Sequence, residues 1–298
     1  MLDYPASIAV ATVVRAGSFE KAAKILNVTP SAISQRIKQL EERLGVILIV
    51  RGTPCIATEQ GDWLCRHIDS VGLLEAELYS HFPGAAGGAA HEVTVHVATN
   101  ADSLGTWFCD AVSDFARQSG YLLNVAVDDQ DHTAEWLERG RVVAAVSSLA
   151  RPVAGCRSVP LGSLRYRAVA SPEYIARYFS NGVSLDTLCT APTLTFNQKD
   201  RLQQQWISQT FGAEIVPPSH WLPSTQSFVD ATLSGMGWSM NPALLVDVHI
   251  AAGKLVELHP HADLHVPLYW QINRLASTQL QSLTDAVLAR AGAALSAK

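Results

Sequence analysis

The sequence predicts a mixed α/β protein with a short helical head and a larger region in which strands and helices alternate. Three observations lead there. An amphipathic helical pair lies near the N-terminus, a Gly/Ala-rich break falls at 83–88, and from Glu92 onward period-two apolar runs alternate with helical patterns. The expected architecture is an N-terminal winged helix-turn-helix, a long linker helix and a two-lobed α/β domain.

A first helix over 5–16 presents Ile8, Ala11 and Val13 or Val14 to a core, and Gly17 ends it. Ser18 can cap a shorter helix over 19–26, with Glu20 in its dipole-favoured first turn. Asn27 and Val28 lead to Thr29, a second cap, and to Pro30, whose missing N–H costs nothing at a first helical position. Ile33, Ile37, Leu40 and Leu44 then recur at i, i+4, i+7 and i+11 as one buried stripe. Ser31, Ser34, Gln35 and Lys38 supply polar groups on the other face. Two helices joined by a tight turn, the second half apolar and half donor-rich, read as a helix-turn-helix whose second helix enters the major groove of double-stranded DNA. An ordinary αα-hairpin has the same spacing.

Residues 46–50 and 55–58 flank the turn Arg51-Gly52-Thr53-Pro54 as a two-stranded wing, which sets Arg51 against phosphate or the minor groove. The candidate DNA contacts are therefore Ser18, Thr29, Pro30, Ser31, Ser34, Gln35, Lys38 and Arg51. A helix from Glu59 follows. In it Leu64, Ile68, Val71, Leu74 or Glu75, and Leu78 keep a near-heptad rhythm that suits a dimer seam.

A chain of 298 residues holds two or three domains, and 48% hydrophobic with 16% charged residues is a soluble composition. No apolar run reaches the roughly 18 residues that span a bilayer, and 1–5 lack a basic secretion leader, so a cytoplasmic protein with no membrane partner is expected. The five cysteines (55, 65, 109, 156, 189) are odd in number and scattered, which excludes a disulfide framework and the usual zinc spacings. Buried structural thiols are expected. His259, His261 and His265 beside Asp263 lack helical ligand spacing, and neither a metal nor a cofactor is expected. The net charge of −5 is uneven: 1–66 carry eight Lys/Arg against six Asp/Glu, the remainder fourteen against twenty-one. Nucleic acid is attracted to the head alone, through placed contacts rather than bulk charge.

The second region reads as parallel βαβ units. Its strands fall at 93–97, 122–127, 142–146, 165–170, 192–196, 220–222, 238–240 and 268–272, and a last helix at 278–291. These are too many for one small sheet, so two lobes are expected, with the chain crossing near 161–164 and 264–267. Ligands of such sheets sit beyond the carboxyl ends of the strands. There Asn100, Asp102 and Ser103 open a helix where an anion is favoured, Asp128 and Asp129 favour a cation, and Ser147 follows with Ser148. An anion seat beside paired carboxylates complements a basic amino acid, although acids after strands also serve as helix caps. No Gly-x-Ser-x-Gly elbow, phosphate loop, His-Glu-x-x-His or Gly-x-Gly-x-x-Gly occurs, so an enzyme is not expected.

The wording of several segments adds to this. Gly17 to Ala23, Thr29 to Ile37 and Leu40 to Gly45 resemble the N-terminal domain of LysR-type transcriptional regulators. Asn100-Ala101-Asp102-Ser103-Leu104-Gly105-Thr106-Trp107, Val127-Asp128-Asp129, 140–147, Phe196 to Asp200 and Gly235 to Trp238 are similar to the family's ArgP/LysG branch. The resemblance implies an effector domain like a periplasmic binding protein, a lysine or arginine effector, and control of a basic amino-acid exporter gene. It also implies pairing through the linker helix into a homodimer or dimer of dimers, and admits RNA polymerase as a partner. Ser103 would meet the effector carboxylate and Asp129, with Asp128, its basic side chain. Thr195, Phe196, Asn197, Ser224 and Thr225 would form the opposite wall. Gln130 and Gln226 stand where an acid is common in the branch, which leaves a regulator of an aromatic or carboxylate metabolite as the alternative. The expected boundaries are 1–58 for the DNA-binding domain, 59–88 for linker and hinge, and 89–298 for the effector domain, with lobe I at 89–163 and 267–298 and lobe II at 164–266.

Overall fold

The computed structural model describes residues 2–80, 93–128 and 133–296, which fall into two compact units, one up to Val95 and the other from His96. The hinge expected at 83–88, Asp129 and Gln130 lie outside the described residues.

The first unit contains α1 (Tyr4–Ala16), α2 (Phe19–Ile25), α3 (Pro30–Leu44), the antiparallel pair β1 (Ile49–Val50) and β2 (Ile56–Ala57), and α4 (Glu59–Ser80). Side chains cap the first three helices: Asp3 accepts from the Ala6 amide at 3.1 Å, Ser18 from Lys21 at 3.1 Å and Thr29 from Ala32 at 3.2 Å. Each such cap contributes about 1 kcal/mol. Gly45 closes α3 at φ 70°, where a β-carbon would be strained. The core joins Ala6, Ala9, Val10 and Val13 of α1 to Ile33, Ile37 and Leu40 of α3.

Two expectations for this unit need correction. Leu44 does not extend the buried stripe; it is exposed at the helix end, one turn beyond the core. Of the residues expected on the core face of α1, Val13 is in the core and Val14 packs against it, but the rest of that face is Ala6, Ala9 and Val10. Ile8 and Ala11 turn instead to a crevice shared with Ile68, Val71 and Gly72 of α4, so α1 buries two faces. That crevice also revises the linker helix. Leu64 packs on the head's core and Ile68 and Val71 face α1, while among the described residues Trp63, Leu74 and Leu78 are exposed large apolar side chains. A heptad rhythm does not distinguish a partner within the chain from one outside it.

In the second unit, β3 (Thr94–Asn100) leads into α5 (Ala101–Ser103), which continues through a π-helical turn, Leu104–Phe108, into α6 (Cys109–Ser119). Then come β4 (Leu122–Asp128), α7 (Thr133–Glu138), β5 (Ala144–Ser147) and the long β6 (Cys156–Ala170). They are followed by α8 (Pro172–Tyr178), α9 (Leu185–Leu188), β7 (Thr193–Thr195), α10 (Leu202–Phe211), β8 (Ser219–Trp221), α11 (Thr225–Leu233) and β9 (Ser239–Pro242). The unit ends with α12 (Ala243–Ala251), β10 (Val256–Glu257), β11 (Leu264–Asn273) and α13 (Gln281–Ala294).

The main sheet has the order β10-β6-β11-β5-β3-β4, with β9 also on β6, and β7 pairs with β8 in a small second sheet. It is mixed rather than built of parallel units throughout: β3–β5 and β7–β8 are parallel, whereas β11 runs antiparallel to both β5 and β6. Among the described residues, β6 and β11 serve both lobes. β6 pairs with β9 and β10 over 166–170, and β11 with β5 over 269–272. Between these regions the β6–β11 register shifts at Leu268/Tyr269, opposite Gly162, which sits at φ 116° with Ser296 O 2.8 Å from where a β-carbon would stand. β6 begins nine residues earlier than the 165–170 read from the sequence. Pro160 and Gly162 mask a strand in the sequence, and the bulge is what admits them.

All five cysteines are free; Cys55 and Cys156 are buried, but Cys109 and Cys189 are exposed, contrary to the expectation of buried thiols. Burial pushes the Cys65 thiol up to about 11, so it is protonated at neutral pH. Among the described residues no helix is long and apolar enough to cross a membrane, and no group of three potential ligands could hold a metal ion.

Gly61 sits where a β-carbon would overlap the Leu48 carbonyl, at the contact between α4 and the wing. Gly61→Ala should therefore destabilise the first unit by about 2–3 kcal/mol, the range of an overpacked site. Urea unfolding followed by the fluorescence of Trp63 checks this; an unchanged midpoint would refute the packing described.

Candidate functional site

Two surfaces bring the candidate residues together, one in each unit. In the first, the α3 face opposite the core shows Ser31, Gln35 and Lys38 exposed and Ser34 partly so, with Ile33, Ile37 and Leu40 buried behind. Thr29 and Pro30 open this helix, and the Thr29 hydroxyl also lies 3.0 Å from that of Ser31. Ser18 is the half-buried cap of α2. Arg51 leaves the wing toward α3: its guanidinium stands 5.1 Å over the Phe19 ring and donates to Ser34 Oγ at 3.4 Å. The wing cation and the donor face are thus one surface. Lys38 is exposed and pairs loosely with Glu42 at 3.7 Å. Arg36 and Gln39 share the exposure and were not singled out from sequence, where only the stripe opposite the apolar one was taken.

In the second unit a pocket is lined by Asn100, Ala101, Asp102, Asp128, Phe196, Asp200, Leu202 and Phe228. Three carboxylates and two aromatic rings face it. Asp102 links the two lobes: Oδ1 accepts from Thr225 Oγ1 of α11 at 2.6 Å and Oδ2 from the Tyr166 hydroxyl of β6 at 2.8 Å. Asp200 shapes its own turn, accepting from the Phe196 and Leu202 amides at 2.9 and 3.0 Å. Asp128 takes the Trp136 indole N–H on Oδ2 at 3.1 Å, and Lys199 Nζ stands 3.9 Å from Oδ1. Asn100 Oδ1 and Ser103 Oγ are buried without a hydrogen-bond partner among the described residues.

The other candidates lie apart from this lining. Ser103 and Ser147 are fully buried, and Ser147 Oγ accepts from the Leu149 amide at 3.1 Å. Ser224 caps α11. Thr195 and Asn197 line a separate groove over β7 and β8 with Trp221 and Val216. Asn197 Oδ1 accepts from the Lys199 amide at 2.7 Å, a turn-forming bond. Asp129 lies outside the described residues. Asp200, Phe228, Tyr166 and Lys199 were missed as site residues. Phe228 was accessible in principle, one helical turn from Thr225, whereas nothing local in the sequence brings Tyr166 to Asp102.

A winged helix-turn-helix joined in one chain to a two-lobed α/β unit with an acidic cleft pocket defines a one-component regulator that binds DNA and a small molecule. Residues 8–62 match the bacterial regulatory helix-turn-helix protein model of the lysR family, and 88–292 match the LysR substrate binding domain. The chain belongs to the LysR family. It is 42% identical over 292 residues to the HTH-type transcriptional regulator ArgP of Pseudomonas aeruginosa, covering 98% of this chain and 97% of that one. Among solved structures, the C-terminal domains of a LysR family protein from Agrobacterium tumefaciens are 57% identical, with a TM-score of 0.67, over 69% of this chain and 99% of that one. Full-length LysG from Corynebacterium glutamicum with bound effector Arg is 34% identical, with a TM-score of 0.66, over 99% of each chain. These are the ArgP and LysG regulators to which the sequence motifs point.

The Asp102 carboxylate holds two hydroxyls from separate elements. Asp102→Ala should cost about 2 kcal/mol, since hydrogen bonds to charged groups contribute ~1.5–3 kcal/mol. Urea unfolding of the variant measures it; a loss below ~0.5 kcal/mol would mean that the link is not structural.

Proposed function

We propose that this LysR-family transcriptional regulator reads duplex DNA with α3 and Arg51 and is gated by a basic amino acid, lysine or arginine, held in the pocket of its second unit. The pocket lining carries the effector reading: Asp102, Asp128 and Asp200 with Phe196 and Phe228, and no cationic side chain among the described residues of the lining. Such a wall favours a positive charge on an apolar stem. Asp102 accepts from two hydroxyls and Asp200 from two amides, while Asp128 accepts from the Trp136 indole N–H and already has a cation, Lys199, 3.9 Å from its other oxygen. Asp128, with Asp129 next in sequence, is therefore in this reading the seat for the side-chain cation. Asn100 Oδ1 is a buried acceptor for the α-ammonium, and the unpartnered Ser103 hydroxyl, buried behind the lining, is the donor that the family resemblance assigns to the α-carboxylate. Thr225 acts through Asp102. Asn197, Ser147 and Ser224 bond to backbone amides of the turns and the helix start that follow them, and Thr195 lies in β7 before the turn that carries Phe196 and Asp200. The bound Arg of the Corynebacterium LysG supports the same ligand class. An aromatic or carboxylate metabolite, the alternative, brings no side-chain cation to this acidic wall.

Ligand binding at Asp102 and Asp128 biases the arrangement of the lobes, and with it the DNA half-sites that paired subunits engage. Trp63, Leu74 and Leu78 give α4 an apolar face for that pairing, in a homodimer or dimer of dimers. The reading places the protein in the cytoplasm, with a basic amino-acid exporter gene as its target, RNA polymerase as its further partner and no catalytic step of its own.

Asp128→Asn should weaken L-arginine and L-lysine binding about tenfold, ~1.4 kcal/mol, by titration calorimetry, with effector-free operator binding unchanged. Equal affinity in wild type and variant would remove Asp128 from the site. On DNA, Gln35→Ala should lower the preference for an operator selected from random duplexes. Lys38→Ala should weaken operator and random DNA alike and reduce the salt slope by about 0.9. Equal losses on both DNAs for Gln35→Ala would count against base reading.

A further inference from the structure

The pocket lining is acidic, yet one cation of the protein already stands at its best-placed carboxylate. We propose that Lys199 is a built-in counter-ion that competes with the effector's side-chain cation for Asp128, and so sets both the affinity for basic effectors and the discrimination against their neutral isosteres. The inference rests on the pocket reading above and adds to it the residue that tunes selectivity.

The geometry supports an exchange. Trp136 Nε1 holds Asp128 Oδ2, and Lys199 Nζ stands at the other oxygen, Oδ1. The base of Lys199 is fixed: its amide and that of Asp200 both donate to Asn197 Oδ1, at 2.7 and 3.3 Å, while Asp200 accepts from the Phe196 and Leu202 amides. This turn also carries Phe196 and Asp200, two residues of the pocket lining. Beyond that fixed base the lysine stem is half exposed, at 49%, and the Asp128 side chain is 27% exposed. A long, hydrated pair of this kind is weak, and a four-carbon stem lets the ammonium move into water when another cation arrives.

The two elements also come from opposite lobes. Asp128 ends β4, beside β3 in the main sheet, whereas Lys199 follows β7 of the small sheet. The pair therefore spans the cleft, as Asp102–Thr225 does. A cationic ligand that takes Asp128 Oδ1 takes the position Lys199 faces and displaces it. A ligand of the same shape without charge leaves the pair intact and meets no unpaired carboxylate. Lys199 thus lowers the affinity for arginine relative to an unopposed Asp128 and protects the binding of a neutral analogue.

Titration calorimetry of the full chain with L-arginine and its neutral isostere L-citrulline tests this in wild type, Lys199→Met, Lys199→Arg, Asp128→Asn and the Asp128→Asn/Lys199→Met double variant. Removing the ammonium in Lys199→Met should tighten L-arginine about three- to fivefold, the scale of a half-exposed pair, without tightening L-citrulline. Lys199→Arg keeps a cation and should match wild type, and Lys199→Met should have no effect on L-arginine in the Asp128→Asn background. Weaker or unchanged L-arginine binding by Lys199→Met, or the same gain with Asp128→Asn, would overturn the inference while leaving the pocket reading standing. A wild type that binds neither L-arginine nor L-lysine would overturn both.

Discussion

One carboxylate joins what the chain leaves loosely connected. The lobes of the second unit share the strands β6 and β11, and these pass between them through a register shift at Leu268/Tyr269 beside the positive-φ Gly162. Such an irregularity bends a strand pair. Asp102 adds a second tie, at the first turn of the helix that follows β3, by accepting from Tyr166 on the shared strand β6 and from Thr225 on α11. The pocket is built beside that tie, with Asp102 itself in its wall. Asp102 is thus at once part of the pocket wall and bonded to two elements beyond its own, the arrangement that coupling of binding to conformation requires.

The head of the molecule was highly legible because its determinants are local. Ser18, Thr29 and Pro30 mark helix starts by hydrogen bonds and ring geometry within one turn, and the structure shows Ser18 and Thr29 making those bonds. Errors arose where a face has two candidate neighbours. Ile8 and Ala11 are apolar because α4 covers them, not because they face α3, and periodicity alone does not name the partner. In the second unit the strands were found but not their directions. The antiparallel course of β11 between β5 and β6 follows from the chain's return to the first lobe, a long-range property with no local signal. The two-residue β10 and the four-residue α9 were too short to show a period.

Half of the candidate pocket's lining is legible in the sequence, Asn100, Asp102 and Asp128 at strand ends and Phe196 through the family resemblance. Asn100, Asp102, Asp128 and Phe196 do line one pocket. What the sequence hid is the role of each acid. Asp102 accepts from hydroxyls, Asp200 from amides and Asp128 from an indole N–H, and Lys199 Nζ stands 3.9 Å from Asp128. Residue type is local, whereas the partner that decides a carboxylate's function lies elsewhere in the chain, as Tyr166 does for Asp102 and Lys199 for Asp128. The same limit holds at the DNA face, where the Arg51 stack on Phe19 and its bond to Ser34 join wing and helix in a way no spacing announces.

The central claim is that a basic amino acid sits between Asp128 and the turn at Asn100 and Ser103, with its cation on the carboxylate that Lys199 now faces. A crystal structure of the full chain grown with L-arginine tests it most directly. The account predicts the guanidinium within ~3 Å of the Asp128 carboxylate, the α-ammonium at Asn100 Oδ1 and Lys199 moved off toward solvent. Arginine bound away from this pocket, or bound within it with its guanidinium turned from Asp128, would contradict the account.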